Sequence, residues 1–299
     1  MNLDTAAADY LAALSAERGL AVNTVAAYRR DLRQYIDFLG AEGVADTADV
    51  VPAAVARYGA NLHERGLASS TIARKTAAAR GFHRFLVAEE IAATDPTVGM
   101  ETPRRGLGLP KALTVEEVGR LIEAPDTTVP LGIRDRALLE FLYASGSRVS
   151  EAVALEVMDV DLDGGVALVR GKGNKQRFVP LGRYAVDALA EYLPVRLELK
   201  GDHLDPGRLF LNSRGRPLTR QAVWLIVRKH ADRAGIAGAA VSPHVLRHSA
   251  ATHMVEGGAD LRSVQEILGH ASINTTQIYT RVSPRHLLEV YVIAHPRSR

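Results

Sequence analysis

The chain has 299 residues, of which 47% are apolar and 24% are charged. This composition excludes a disordered chain, and the length suits about two domains of roughly 150 residues each. No segment approaches the ~18 consecutive apolar residues of a membrane span, and the N-terminus lacks the basic and apolar regions of a signal peptide. We therefore expect a cytoplasmic protein without membrane insertion. The absence of cysteine excludes disulfides, thiolate nucleophiles and thiolate zinc sites.

Positive charge is concentrated locally, although the net charge is only +3. Residues 1–100 carry 10 Lys and Arg against 12 Asp and Glu, so the positive excess lies in the rest of the chain. The segment Arg170–Arg183 contains five basic residues and no acidic one, and a second basic group consists of Arg74, Lys75, Arg80 and Arg84. Such local stretches on a nearly neutral protein indicate a polyanionic partner, with an ordinary solvated surface as the alternative.

The first 100 residues are predicted to form a small helical bundle. The spacing of apolar residues indicates a helix around Tyr10–Leu14 that ends at Gly19, and a second helix over Asn23–Gly40. A third helix is expected over Val51–Arg65, and a fourth begins at Ser70.

A linker and a second domain are predicted to follow. Residues 101–110 mix Pro, Gly and Arg without periodicity, which is typical of a linker. A domain over residues 111–299 then begins with a capping box at Thr114 and Glu117. This domain is mostly helical, and its one hairpin consists of two strand-like runs, Gly165–Arg170 and Gln176–Pro180. Further helices are expected from about Arg183, Thr219, Ser242 and Leu261. The predicted fold class is mainly α with a small β-sheet.

The predicted helix start at Ser242 is a candidate anion site. His244 and Arg247 are three residues apart, so they share a face of the first turns, where free N–H groups and the helix dipole favour a negative ligand. An imidazole and a guanidinium that point to the same place can bind a phosphate. The alternative is that both are ordinary surface side chains at the start of the helix. A zinc site at His244, His248 and His253 is disfavoured, because the glutamate of an HExxH motif is missing.

Two further basic residues lie on predicted turns. Arg148 follows a Ser-Gly turn, where Ser147 is expected to cap the next helix, and such a turn presents a guanidinium rigidly. Lys172 lies between two glycines at the hairpin tip, where another molecule can approach closely and the lysine can donate a proton. Ordinary surface positions are the alternative for both side chains.

His270 and Tyr279 lie in the segment that follows Leu268 and Gly269. A phenol is a poor nucleophile while it is protonated, with a pKa near 10. Attack on phosphorus therefore requires a proton acceptor and stabilisation of the phosphoryl oxygens. Packing in the core is the alternative for Tyr279.

These residues fall in segments that match one family. The runs SGSRVSE, GKGNKQRFVPLG, HVLRHSAATH and LGHASINTTQIYT are near-standard forms of its motifs. On these motifs the chain resembles the Xer-type tyrosine recombinases of the phage integrase superfamily, over nearly its whole length. The resemblance implies a SAM-like helical bundle that binds the DNA core site, followed by an α+β catalytic domain. It also implies six catalytic residues, namely Arg148, Lys172, His244, Arg247, His270 and Tyr279.

The resemblance further implies a covalent mechanism. Tyr279 would attack a scissile DNA phosphate and form a 3′-phosphotyrosyl bond, while Lys172 would protonate the leaving 5′-oxygen as the general acid. Arg148 and Arg247 would bind the non-bridging oxygens, where negative charge develops. No cofactor or metal is implied, because the phosphotyrosyl bond conserves the energy of the broken phosphodiester.

The other implied residues support the chemistry or bind DNA. His244 would accept the proton of the tyrosine, His270 would hydrogen-bond the phosphate, and Glu151 would support the catalytic residues from behind. The implied DNA contacts outside the catalytic set are Arg74, Lys75, Arg80, Arg84, Lys175 and Arg177.

The resemblance also implies partners and a cellular role. The expected partners are double-stranded DNA with a dif-like site, a second recombinase of the family in a heterotetramer on two sites, and an FtsK-type DNA translocase. The expected role is resolution of chromosome and plasmid dimers during segregation. The apolar C-terminal helix, which contains Tyr291 and Ile293, would be passed to a neighbouring protomer, with packing on its own domain as the alternative.

Three other functions stay open from the sequence. A type IB topoisomerase-like enzyme would use the same residues to nick and reseal DNA without strand exchange. A catalytically idle protein would only mark a DNA site. A phosphatase built on the His–Arg cluster is less favoured, because it leaves the N-terminal bundle without a role.

Overall fold

The computed structural model describes residues 1–16, 22–100, 112–171, 176–236, 241–269 and 284–298. The chain divides into two compact units, Met1–Gly108 and Leu109–Arg299. No helix in the described ranges is long and apolar enough to cross a membrane.

The N-terminal unit contains four α-helices in its described part. They are α1 (Leu3–Ala16), α2 (Val22–Ala41), α3 (Pro52–Glu64) and α4 (Ser69–Ala88), with a short 3-10 turn at Thr47–Asp49. Their apolar faces enclose a core of aliphatic and aromatic side chains that includes Tyr10, Leu32, Tyr35, Tyr58 and Phe82. The predicted four-helix bundle is therefore confirmed, because the helical spacing of these residues places them on inward faces.

Two predicted helix ends in this unit differ from the structure. Gly40 does not end α2, because the chain turns only at Gly43, where φ is +80°. The fourth helix begins at Ser69, with Ala68 at its N-cap, so Ser70 lies in the first turn. The predicted helix end at Gly19 lies outside the described residues.

The C-terminal unit is mainly helical around a three-stranded sheet. Its helices are α5 (Val115–Glu123), α6 (Pro130–Ser145), α7 (Val149–Ala154), α8 (Arg183–Lys200), α9 (Arg220–Arg233), α10 (Pro243–Glu256), α11 (Leu261–Leu268) and α12 (Pro284–Ala294). The strands are β1 (Val160–Asp161), β2 (Val166–Arg170) and β3 (Gln176–Pro180), preceded by a 3-10 turn at Val157–Asp159. The sheet is antiparallel in the order β1-β2-β3, and Leu168 pairs with Phe178 in the predicted hairpin. The fold class predicted from the sequence is confirmed.

Side-chain caps set the start of several helices. The hydroxyl of Thr114 accepts a bond from the N–H of Glu117, and the Glu117 carboxylate accepts one from the N–H of Thr114, which completes the predicted capping box. Thr219 caps α9 and Ser242 caps α10 with the hydroxyl alone, which accepts a bond from the N–H of Ala222 and of Val245, respectively. Each cap satisfies an N–H group that the helix itself leaves unpaired.

Helix α6 is the central helix of the C-terminal unit. Every residue from 137 to 147 is buried, as expected for a helix that is surrounded by other elements. Its buried charges are paired: Asp135 accepts from Arg134 at 2.7 Å and contacts His230 at 2.8 Å, and Glu140 pairs with Arg297. The last helix, α12, packs against α10, α11 and β3 of its own unit, with Tyr291 buried.

Candidate active site

The C-terminal end of α11 organises the candidate site. Asp260 caps the start of this amphipathic helix, and Gly269 ends it in the left-handed conformation with φ +66°. The last carbonyl groups of any helix lack partners within the helix and carry its negative dipole end. In α11, three successive carbonyls each accept a hydrogen bond from an arginine that lies elsewhere in the chain.

Each of the three arginines comes from a different element. Arg177 on β3 donates from Nε to the Ile267 carbonyl at 2.9 Å. Arg247 on α10 donates to the Leu268 carbonyl at 2.7 Å, and Arg148 donates to the Gly269 carbonyl at 3.0 Å. The helix end therefore gathers three positive charges at one place.

Glu151 lies between two of these arginines and is 1% exposed. Its carboxylate accepts a forked pair of bonds from Arg177, at 3.0 and 2.9 Å. It also accepts one bond from the Arg148 side chain and one from the Arg148 backbone N–H, both at 2.9 Å. Burial alone would raise the pKa of Glu151, but the bonds from Arg177 and Arg148 outweigh it and hold the pKa below its usual value.

The turn between α6 and α7 places Arg148. Gly146 adopts the left-handed conformation with φ +55°, and a Cβ there would lie 2.4 Å from Cδ2 of Leu268, so a larger residue would be strained and would displace Leu268. The predicted cap at Ser147 is wrong. Arg148 itself occupies the N-cap position, and the Glu151 side chain binds its N–H from the first turn of α7.

Arg247 is half-buried on the first turns of α10. Besides the Leu268 carbonyl, it donates to the Gly146 carbonyl at 2.6 Å. Burial and the neighbouring charge of Arg148 lower the pKa of Arg247 to about 10. Arg247 therefore stays protonated at neutral pH, and a bound anion would compensate the repulsion that it now experiences.

His244 is exposed, one helical turn before Arg247. The Ser242 cap and Pro243 at the first helical position set the start of this helix, as predicted. His253 is buried and contacts the Tyr143 hydroxyl at 2.7 Å, so its ring is engaged in the core. Among the described residues, no group of three or more His, Asp or Glu could hold a metal ion.

Four predicted site residues lie outside the described residues. They are Lys172, Lys175, His270 and Tyr279. The described residues nevertheless bring together Arg148, Arg247 and Glu151, which the sequence separates by up to about a hundred positions. The chain segment that contains His270 and Tyr279 continues directly from the α11 end that the three arginines bind.

The structure corrects two of the predicted DNA contacts. The Lys75 side chain is 7% exposed, and its ammonium binds Asp31 and Gln34 inside the helical bundle. Arg177 is 17% exposed, and its three nitrogens each donate one bond, two to Glu151 and one to the Ile267 carbonyl. Both side chains form ion pairs or hydrogen bonds with buried partners. Neither therefore projects toward a ligand in the way that the clustering of basic residues in the sequence had indicated.

The other residues of the predicted basic group on α4 differ in exposure. Arg84 is exposed. Arg74 is also exposed but pairs with Asp31, whereas Arg80 donates to the Met100 carbonyl. Helix α2 also carries three exposed arginines that the sequence-based prediction did not include, Arg29, Arg30 and Arg33. In the sequence they form a basic cluster within five residues, with Asp37 one helical turn after Arg33, and in the structure Arg33 pairs with Asp4 at 3.1 Å.

Comparison with known proteins assigns both units to one family. A model of the phage integrase family matches residues 111–286, and a model of the phage integrase N-terminal SAM-like domain matches residues 7–90. Tyrosine recombinase XerD of Bifidobacterium longum is 45% identical over 298 residues, which cover 97% of this chain and 96% of that protein. Tyrosine recombinase XerD of Mycobacterium tuberculosis strain H37Rv is 46% identical and covers 97% of each chain.

Solved structures agree with this match. The XerA recombinase structure is 29% identical and covers 98% of this chain and 99% of its own, with a TM-score of 0.50. The XerH site-specific recombinase, bound to a palindromic difH substrate, is 25% identical with a TM-score of 0.69 and covers 92% of this chain and 81% of its own. The matches to the family models and to full-length relatives lead to one conclusion: this chain belongs to the phage integrase family and is a tyrosine recombinase.

Proposed function

We propose that this tyrosine recombinase cuts and rejoins DNA at a dif-like site and thereby resolves chromosome and plasmid dimers during segregation. The observation that carries the proposal is the pair of guanidinium groups, Arg148 and Arg247, held side by side on the end of α11. The names of the relatives support the cellular role, since they are XerD recombinases, and XerH is described on a difH substrate.

The arginine pair suits a phosphodiester. A guanidinium has five N–H donors. Within the described ranges, each of these side chains uses two of them on carbonyl or carboxylate partners, which leaves donors for an anion. Among the described residues, the cluster has three arginines and one carboxylate, Glu151, which binds two of them, so it has an excess of positive charge. Such preorganised charge stabilises the oxygens of a pentacoordinate phosphorus more than those of the substrate phosphate.

The proposed reaction proceeds through a covalent intermediate. The phenolic oxygen of Tyr279 attacks the phosphorus, the bond to the 5′-oxygen breaks, and Lys172 donates a proton to that oxygen. His244 accepts the proton of the phenol, and His270 hydrogen-bonds a phosphate oxygen. Attack by the 5′-hydroxyl of another strand reverses these steps, so the intermediate needs no cofactor or metal to reseal the DNA.

The DNA interface that we propose for the N-terminal unit differs from the one predicted from the sequence. Arg84 and Arg74 on α4 are exposed, as are Arg29 and Arg30 on α2, and all four can reach a phosphate. We assign residues 1–100 to DNA binding, 101–110 to a linker, and 111–299 to catalysis. A second recombinase in a heterotetramer and an FtsK-type translocase complete the proposed system, which acts in the cytoplasm, where the chromosome lies.

A bridging-sulfur substrate tests the roles of Tyr279 and Lys172. Tyr279→Phe should bind DNA normally and form no covalent complex, because it lacks the attacking oxygen. Lys172→Ala should cleave ordinary DNA poorly and should recover by several orders of magnitude when sulfur replaces the 5′-bridging oxygen, since a thiolate leaves without a proton. Arg148→Ala should not recover, because it acts on the non-bridging oxygens. Absence of recovery in Lys172→Ala would exclude it as the general acid, and Lys175 would be tested next.

Products on DNA with one or two sites discriminate the other functions. Strand exchange between two dif-like sites supports recombination, whereas relaxation of supercoils without exchange would indicate a topoisomerase-like enzyme. Binding without any covalent complex would indicate an idle DNA-binding protein. Hydrolysis of small phosphate esters without DNA cleavage would indicate a phosphatase.

A further inference from the structure

Arg177 has no task in the proposed reaction, yet it is the most completely bonded arginine of the site. Its Nε binds the Ile267 carbonyl, and its two terminal nitrogens bind the two oxygens of Glu151. Together these bonds tie β3, α7 and the end of α11. Those three elements adjoin, in sequence, the positions of Lys172, Arg148 and His270.

The backbone at Gly269 packs closely against the Arg177 guanidinium. A Cβ added at Gly269 would lie 2.8 Å from the central carbon of this guanidinium and 2.9 Å from two of its nitrogens. No side chain shows contacts of that length without displacement, so the backbone of α11 approaches the arginine as closely as glycine allows.

The bonding pattern of Glu151 shows what Arg177 controls. Arg177 takes the forked, two-point interaction with the carboxylate, whereas the Arg148 side chain makes a single bond to Oε1. A forked arginine–carboxylate pair is the stronger geometry. If Arg177 were absent, the buried carboxylate would be free to draw Arg148 into that fork, away from the Gly269 carbonyl and from an incoming phosphate.

We propose that Arg177 is a positioning residue: it occupies the carboxylate of Glu151 so that Arg148 keeps its orientation and its free donors for the scissile phosphate. This inference rests on the proposed DNA cleavage. It assigns Arg177 an effect on the rate of cleavage and none on the affinity for DNA, since its three guanidinium nitrogens are bound to Glu151 and Ile267.

The test measures covalent complex formation by the full-length protein on a nicked suicide substrate with a dif-like site, at increasing DNA concentration. Arg177→Met should lower the rate of covalent complex formation at saturating DNA by about 100-fold. A shift of the Arg148 guanidinium by about 1 Å relative to the phosphate lowers a reaction rate by that order. The DNA concentration at half-saturation should stay within about twofold of the wild type. Arg177→Lys, which keeps the charge but loses the fork, should retain more activity than Arg177→Met.

A second substitution distinguishes positioning from plain stability. In the Arg177→Met background, Glu151→Gln should restore the rate at least tenfold, since a neutral amide no longer competes for Arg148. The rate is measured at a temperature at which both variants are folded. A merely structural role then predicts that Glu151→Gln raises the melting temperature, by removing an unpaired buried charge, without raising the cleavage rate.

Arg196→Met is the matched control. Arg196 on α8 has the same bonding pattern as Arg177, with a forked pair to Asp205 at 2.8 and 2.5 Å and one Nε bond to the Arg208 carbonyl at 2.9 Å. Its removal should lower the melting temperature and leave the cleavage rate at saturating DNA unchanged.

Three results would overturn the inference. They are a wild-type rate for Arg177→Met, an equal loss of rate in Arg196→Met, and no recovery with Glu151→Gln. If Arg177→Met does not fold, the rate of Arg177→Lys is the deciding measurement. A wild-type rate for Arg177→Lys would show that the forked interaction with Glu151 is not needed for cleavage. If the wild type forms no covalent complex, the proposed function fails, and the role of Arg177 fails with it.

Discussion

At the scale of single residues, the charge state and stability of a buried side chain depend on its partner, as the pair of Glu140 and Arg297 shows. Glu140 lies on the fully buried face of α6, and burial raises its pKa although Arg297 opposes the shift. Arg297 pairs with it from the chain end, donating from Nε at 3.0 Å, and also lies 4.1 Å from the Tyr184 ring centre. This pair therefore joins the last residues of the chain to the centre of the C-terminal unit.

Removing one member of this pair should be costly. Arg297→Ala leaves a buried carboxylate without its cation, so we expect a loss of about 3–5 kcal/mol in the free energy of unfolding, measured in urea. Arg183→Ala is the control. Its ion pair with Asp187 is exposed and 3.7 Å long, so the loss should be below about 1 kcal/mol. Equal effects of the two substitutions would show that the Glu140–Arg297 pair is not buried in solution.

The same pair gives a pH dependence of known sign. In Arg297→Ala, the main group that lowers the pKa of Glu140 is gone, so its folded-state pKa rises further above the unfolded value. The folded state then binds more protons, and stability increases as pH falls from 7 toward the ordinary carboxyl pKa. Unfolding curves at pH 7 and 5 should show that the difference in free energy of unfolding between the wild type and Arg297→Ala is smaller at pH 5. The double variant Glu140→Gln/Arg297→Ala should not gain, and an equal gain in both variants would contradict the assignment to Glu140.

At the scale of the helix, α4 separates exposed from buried basic residues. Arg84→Ala removes an exposed charge and should reduce the salt dependence of DNA binding by about 0.9 units of log K per log salt concentration. Lys75→Met should leave this slope unchanged and instead lower the melting temperature, because Asp31 loses a buried partner. Anisotropy titrations over a series of KCl concentrations measure both slopes. A smaller slope for Lys75→Met would show that this lysine leaves the bundle to bind DNA.

The packing of α12 on its own unit leads to a second prediction at this scale. Tyr291 is 1% exposed, and its hydroxyl accepts a bond from the Gly182 N–H at 3.1 Å. Tyr291→Ala should therefore cost about 3–5 kcal/mol in the stability of the C-terminal unit, like other large aromatic deletions. Val292→Ala, at an exposed position of the same helix, should cost less than about 1 kcal/mol. A small effect of Tyr291→Ala would show that α12 is undocked in solution, and the transfer to a neighbouring protomer would gain support.

At the scale of the whole molecule, the net charge does not describe how the positive charge is distributed. The formal charge is +3, but exposed arginines lie together on α2 and α4, and a separate cluster surrounds Glu151. We expect a salt slope of about −0.9 per phosphate contact, so that six contacts would give about −5. A slope near zero for the full-length protein on its DNA would contradict an interface built on these arginines.

The sequence by itself determined the helices, the hairpin and the identity of the arginine pair. Caps such as Thr114 with Glu117 act over three residues, and apolar periodicity acts within one helix, so both can be predicted without a partner. The family motifs predicted Arg148, Arg247 and Glu151 as site residues, because the spacing of chemical groups along the chain is visible in sequence.

Only the tertiary structure decided which charges are available. Lys75 and Arg84 are alike in the sequence, yet one is buried against Asp31 and the other is exposed. Arg177 differs from an ordinary surface arginine through Glu151, 26 positions away, and Ile267, 90 positions away. Arg148 meets the Gly269 carbonyl across 121 positions. Burial and long-range hydrogen bonding depend on elements that are distant along the chain. For that reason, the partners of these side chains appear only once the helices and strands have packed.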